Sequence, residues 1–172
     1  EYDSEGTVTA TDSFGNTGSV TGTIRVDTTT AVEIDPGQAG GDDLVNSSGA
    51  ASGLTLTGTG EPGASVSVTV EGVTRSATVD ADGNWSADFA ASDIAKGSYD
   101  ADIVVTATDA AGNTAEITDS LAIDTEVSPF TADSEQTDDD VVNLAERTAG
   151  LTMTGTVEPG SVVEVTVEGV TR

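Results

Sequence analysis

The side chains able to do chemistry in this 172-residue chain are almost all carboxylates. Asp and Glu number 31 against 5 Lys and Arg, a formal net charge of −26, and histidine and cysteine are both absent. Without thiol or imidazole there can be no disulfide framework, zinc–thiolate site, cysteine nucleophile or histidine base. The many Ser and Thr hydroxyls lack a base to activate them, and the single lysine, Lys96, lies in a polar loop beside glycine. Adjacent carboxylates such as Asp42 and Asp43 share one segment and do not define the two facing groups that glycoside hydrolysis needs. No enzymatic activity is expected. The acids are better placed to hold a cation. Residues 27–43 contain Asp27, Glu33, Asp35, Asp42 and Asp43 and no base. Residues 124–140 contain Asp124, Glu126, Asp133, Glu135, Asp138, Asp139 and Asp140, again with no base. Oxygen-only donors at this density suit a hard ion that takes about six to eight of them, so Ca2+ is favoured over zinc or copper. The same sign of charge opposes binding to nucleic acid or an anionic membrane surface. No stretch approaches the roughly 18 apolar residues of a membrane-spanning helix, so no membrane insertion is expected.

Short strands must carry these acidic loops. Hydrophobic residues make up 35% of the chain and alternate with polar ones. Leu54 and Leu56, then Val66, Val68 and Val70, then Trp85, Ala87 and Phe89, and finally Tyr99, Ala101, Ile103, Val105 and Ala107 each follow a period of two. That period marks strands with one buried face, and no long helical period competes with it. The chain reads as all-β and folded.

It also repeats. Val8-Thr9-Ala10-Thr11-Asp12 returns as Val105-Thr106-Ala107-Thr108-Asp109, Asp27-Thr28 as Asp124-Thr125, Glu61-Pro62-Gly63 as Glu158-Pro159-Gly160, and Glu71 through Arg75 as Glu168 through Arg172, always at a shift of 97. Residues 1–75 laid on 98–172 without a gap give 35 identities in 75. The register divides the chain into residues 1–28, the C-terminal part of one repeat, residues 29–125, a complete repeat, and residues 126–172, the N-terminal part of the next. Tandem units of about 97 residues built from short strands match an immunoglobulin-like β-sandwich. In the complete repeat, strands are expected near 31–35, 54–59, 65–72, 74–80, 85–89, 99–109 and 114–124, with a single helical turn within 90–98. Trp85 and Tyr99 are expected to be its large core residues.

On this plan the acidic windows are the junctions between repeats. The loop joining the last two strands is expected to face the outgoing linker, which would add Asp12 and Asn16, and Asp109 and Asn113, to the ligand sets. The candidate metal ligands are then Asp12, Asn16, Asp27, Asp42 and Asp43 at the first junction, and Asp109, Asn113, Asp124, Asp139 and Asp140 at the second. Residues 31–40 share nothing in register with 128–137, so Asp35 and Asp133 are set aside. The other account of the same acids is a solvated, flexible surface on an acidic chain.

Other motifs have simpler explanations. Asp80-Ala81-Asp82-Gly83-Asn84 imitates the start of a calcium-binding EF-hand loop. Its glycine falls two places early and Ala91 stands where the bidentate glutamate belongs, so it reads as a hairpin turn before Trp85. Gly58-Thr59-Gly60-Glu61-Pro62-Gly63 spells a dinucleotide-binding pattern but lies between strands, and Val157 replaces Gly60 in the next repeat.

The string GDDLVN…LTLTGTGEPGASVSVTVEG…ATVDADGNWSADF…YDADIVVTATDAAGNTAEITDSLAIDT resembles the bacterial immunoglobulin-like repeats of the extender regions of giant RTX-type, biofilm-associated adhesins. The resemblance covers the whole chain. It implies a stalk segment of a secreted adhesin at the bacterial cell surface, exported by a type I system and serving cell adhesion and biofilm formation. Calcium between domains would stiffen the stalk, and the partners would be neighbouring repeats of the same chain. The adhesin's own ligand is not implied. Two other roles are open: a repeat that itself binds a glycan, ice or a host protein, which the scarcity of aromatics disfavours, and a subunit of a surface filament. In the last case the half-repeats would complement each other between molecules, yet residues equivalent to 76–97 would be missing, so the chain is expected to be a stretch of a longer molecule.

Overall fold

The computed structural model describes residues 1–133, 141–150, 152–167 and 169–171. Fourteen strands occur among them: β1 (Tyr2–Thr11), β2 (Thr17–Val26), β3 (Val32–Ile34), β4 (Leu44–Asn46), β5 (Leu54–Gly60), β6 (Ser65–Val70), β7 (Val73–Thr78), β8 (Asn84–Phe89), β9 (Ser98–Thr108), β10 (Thr114–Asp124), β11 (Phe130–Ala132), β12 (Gly155–Val157), β13 (Thr166–Val167) and β14 (Val170–Thr171). Two short helices, α1 (Ser47–Ser52) and α2 (Leu144–Ala149), stand at equivalent places in successive repeats.

Residues 32–124 form a two-sheet sandwich, as the alternation predicts. One sheet runs β3-β5-β8 and the other β4-β10-β9-β6-β7, antiparallel except for β4 on β10. The apolar member of each alternating pair points inward. Leu54, Leu56, Trp85, Ala87 and Phe89 from one sheet meet Val66, Val68, Ala101, Ile103, Val105, Ala107, Leu121 and Ile123 from the other in one core. Trp85 is buried, and its indole Nε1–H donates to the carbonyl oxygens of Glu33 at 3.2 Å and Thr59 at 3.1 Å. Gly58 lies under the ring: a Cβ there would stand 2.4 Å from it and 2.1 Å from the Glu33 oxygen. Tyr99 is half-buried rather than part of the innermost core, because its hydroxyl donates to the Ala95 carbonyl at 3.0 Å and must stay near the rim. The turn foreseen in 90–98 is a 3-10 turn over Ala91–Asp93. Asp93 there pairs with Arg75, whose guanidinium also lies over the Phe89 ring.

Two elements escape the alternation rule. Between β3 and β4 the chain crosses from one sheet to the other. Gln38 makes that crossing buried but satisfied: its amide donates to the carbonyls of Asp35 and Thr57 and accepts from the Thr57 N–H. β4 and α1 follow, with the Asn46 side chain accepting from the Gly49 N–H at 2.9 Å as helix cap. β1 and β2 form the ten-residue hairpin that β9 and β10 repeat, with Tyr2 opposite Val26 and Thr11 opposite Thr17.

Candidate metal centre at the repeat junction

Asp12, Asn16, Asp109 and Asn113 have a local duty that their spacing explains. Asp-x-x-Gly-Asn occurs three times, at 12–16, 80–84 and 109–113. The first and third close the β1–β2 and β9–β10 hairpins, whereas 80–84, expected as a hairpin turn, instead carries the chain from β7 in one sheet to β8 in the other. In all three, one oxygen of the aspartate accepts two backbone N–H bonds at 2.8–2.9 Å, from the residues two and four places on. At Asp12 and Asp109 the second oxygen accepts from the asparagine side-chain amide at 2.7 Å. The glycine takes a positive φ of 88° in the first two turns and 91° in the third, which a Cβ would strain. Burial pushes the Asp109 carboxyl up, but the Asn113 side chain and the turn's N–H groups outweigh it and hold the group below the ordinary range. Asp12 is held down by Asn16 in the same way. These aspartates are turn anchors first.

The expectation that this loop faces the outgoing linker is corrected. In an antiparallel hairpin the tip lies a strand length away from where the second strand ends. β10 leaves the 109–113 turn and runs ten residues to Asp124, roughly 33 Å of extended chain. The turn therefore stands at the leading end of its repeat, against the incoming linker. There the Asn113 amide bonds both Asp109 and, at 3.3 Å, the Asp27 carboxylate 86 residues earlier.

Asp27 is the centre of the grouping. Carboxylate oxygens of Glu1, Asp27 and Glu61 all lie within 4.8 Å of one another, Asp27 and Glu61 half-buried and Glu1 exposed. Glu61 comes from the Glu61-Pro62-Gly63 turn between β5 and β6, pinned by Ala64 N–H to the Glu61 carbonyl at 3.0 Å and Gly63 N–H to Val79 at 2.9 Å. Glu1 also accepts from the Arg25 guanidinium at 2.6 Å, and Arg25 holds its carboxyl below the usual range. Linker and hairpin of one repeat thus meet two turns of the next.

The remaining candidates lie elsewhere. Asp12 and Asn16 are at the far tip of the β1–β2 hairpin, about 30 Å of strand from Asp27. Asp42 and Asp43 shape the crossover: Asp43 accepts from the Gln38 N–H at 2.6 Å, Asp42 from the Leu44 N–H at 3.3 Å, and the Asp43 carbonyl from Ala122 near the trailing end. Asp124 ends β10 beside Ser98 and Asn46. Asp139 and Asp140 lie outside the described residues. Glu1 and Glu61 were missed by composition, although Glu61-Pro62-Gly63 returning as Glu158-Pro159-Gly160 is the signal that could have found the latter.

Every donor of the Glu1–Asp27–Glu61 grouping is a hard oxygen, and the spacing fits one ion. Ligands at about 2.3–2.6 Å from calcium are at most roughly 5 Å apart across it. The three carboxylates therefore fit calcium and would hold it between two repeats, while Asn113 turns its NH₂ group to Asp27 and positions that carboxylate rather than adding an oxygen.

The family profile described as "Bacterial Ig domain" matches residues 41–124. No curated protein matches significantly. Among solved structures, a 1.5-MDa bacterial ice-binding adhesin, studied for its retention at the host cell surface, is 38% identical over 72% of this chain and 42% of its own, with a TM-score of 0.41. A Ca2+-stabilised adhesin with which an Antarctic bacterium reaches out and binds ice is 35% identical over 94% of this chain and 41% of its own, with a TM-score of 0.42. A bacterial immunoglobulin-like domain from the M. primoryensis ice-binding adhesin is 36% identical over 58% of this chain and 97% of its own, with a TM-score of 0.40. The chain thus spans less than half of the first two. Residues 41–124, which carry most of the all-β sandwich, belong to the bacterial Ig domain family.

Proposed function

We propose that this chain is a stalk segment of a secreted adhesin on the bacterial cell surface, and that calcium bound where successive repeats meet keeps the stalk straight. The carrying observation is the convergence of Glu1 and Asp27, from one repeat and its linker, with Glu61 of the next. Three carboxylates this close repel each other, and a bound dication would turn that repulsion into a tie between two rigid bodies. The adhesins to which the chain is similar, one of them Ca2+-stabilised, support the same reading. So does the tandem repeat, since a stalk works through length and stiffness. The role is structural rather than enzymatic, and the partners are neighbouring repeats.

Thermal unfolding against calcium, with magnesium and sodium chloride as controls, tests this. Extracellular modules bind calcium at roughly 10⁻⁴–10⁻³ M. At about 10 mM calcium, linkage then predicts on the order of 1.4–2.7 kcal/mol of added stability. Asp27→Ala combined with Glu61→Ala should abolish the gain. An equal response to every salt would mean the acids are only screened charge, and the stalk reading would lose its stiffening mechanism.

A further inference from the structure

The two junctions of this chain are not equivalent, and the difference centres on one ion pair. At the shift of 97, Asp27 and Glu61 return as Asp124 and Glu158, but Glu1 returns as Ser98 and Arg25 as Ala122. The third carboxylate and the cation bonded to it are thus present together at the leading junction and absent together at the trailing one. The pairing ladder explains their proximity. Arg25 lies opposite Asp3, next to the Tyr2–Val26 pair that ends the hairpin, so its side chain reaches the neighbouring Glu1.

We propose that Arg25 is a resident counter-cation of the leading junction, competing with a divalent cation for the Glu1 carboxylate and making that junction respond to the ion differently from the trailing one. This rests on the junction reading above. Arg25 Nη2 donates to Glu1 Oε2 at 2.6 Å, and Glu1 is one of the three converging carboxylates. The charges of Asp27 and Asp3 also favour the guanidinium there. A guanidinium partly neutralises the cluster when no metal is bound. A dication that draws Glu1 into its shell must give up that bond or sit beside a positive charge. The pair is solvent-exposed, so it holds Glu1 weakly enough to be displaced. A unit charge about 6 Å from a dication, in a water-like dielectric with physiological screening, changes affinity by roughly 3- to 10-fold.

Calorimetric calcium titration of the whole chain tests the proposal, with Asp27→Ala identifying the heat that belongs to the leading junction. Arg25→Ala is expected to tighten that site by about 3- to 10-fold, and to leave any other site unchanged. In a Glu1→Gln background the same substitution is expected to have a smaller effect, because the contested ligand is gone and only the repulsion by the guanidinium charge is relieved. Unchanged or weakened binding in Arg25→Ala would overturn the proposal while leaving the junction reading intact. Calcium uptake that is absent, or insensitive to Asp27→Ala, would instead overturn the junction reading and this inference with it.

Discussion

At the scale of single residues, the Asp-x-x-Gly-Asn turns make the sharpest statements. Asp12 and Asp109 are both held below the ordinary carboxylate range. A group whose folded pKa is depressed contributes stability above its unfolded value, near about 3.9, and loses it as pH falls through the lower folded value. Chemical denaturation should therefore show a plateau at neutral pH and a decline below about pH 4. Asp109→Asn should flatten part of that decline while lowering stability at pH 7, since its NH₂ would face that of Asn113. A decline unchanged in Asp109→Asn would mean that other acids govern it. Gly58→Ala is a harsher test, because the added carbon meets the Glu33 carbonyl and the buried Trp85 ring. We expect a loss of about 1–3 kcal/mol by urea unfolding. The sequence pattern exposes Trp85 readily, through its alternation with Ala87 and Phe89, but not the need for Gly58 beneath it. Close approach of a ring to a backbone leaves no trace in spacing.

At the scale of elements, strands long enough to alternate were legible; of the two short strands in the sandwich, β3 was expected near 31–35 and β4 was not. β5, β6, β8, β9 and β10 fall within a residue or two of where alternation puts them. β4, at Leu44–Asn46, is too short to show a period, and the buried Gln38 looks like any loop glutamine until its three bonds to Asp35 and Thr57 are seen. The candidate site suffered from the same limit. Clustering along the chain groups Asp42 and Asp43 with Asp27, whereas the antiparallel fold gathers Glu61 and Asn113 around it. Which end of the sandwich a hairpin tip occupies follows from strand direction, and charge counting ignores direction. The helix that follows β4 supplies a test at this scale. Asn46→Ala removes the cap on Gly49 and should cost about 1 kcal/mol, with Asn46→Asp retaining most of the stability. Parallel urea titrations compare the two, and equal losses would show that the cap is not what holds α1.

At the scale of the whole molecule, a net charge of −26 sets the background for every salt experiment. Self-repulsion at this charge weakens the compact state and is screened by any electrolyte. Raising sodium or potassium chloride from about 20 to 500 mM should lift the unfolding temperature equally and modestly, since the Debye length shrinks identically for both. The calcium effect should add to this at constant ionic strength. A sodium–potassium difference would point to a site selective among monovalent ions.

The bond from Asn113 back to Asp27 spans 86 residues. The clasp on a repeat's leading side is therefore completed by a turn that comes late in that repeat's sequence. A half-built repeat cannot fasten to its predecessor, because Glu61 and the β9–β10 tip are not yet in place. On the proposed junction, only finished modules would couple along an array, and a module pulled open under load would let go of the one before it.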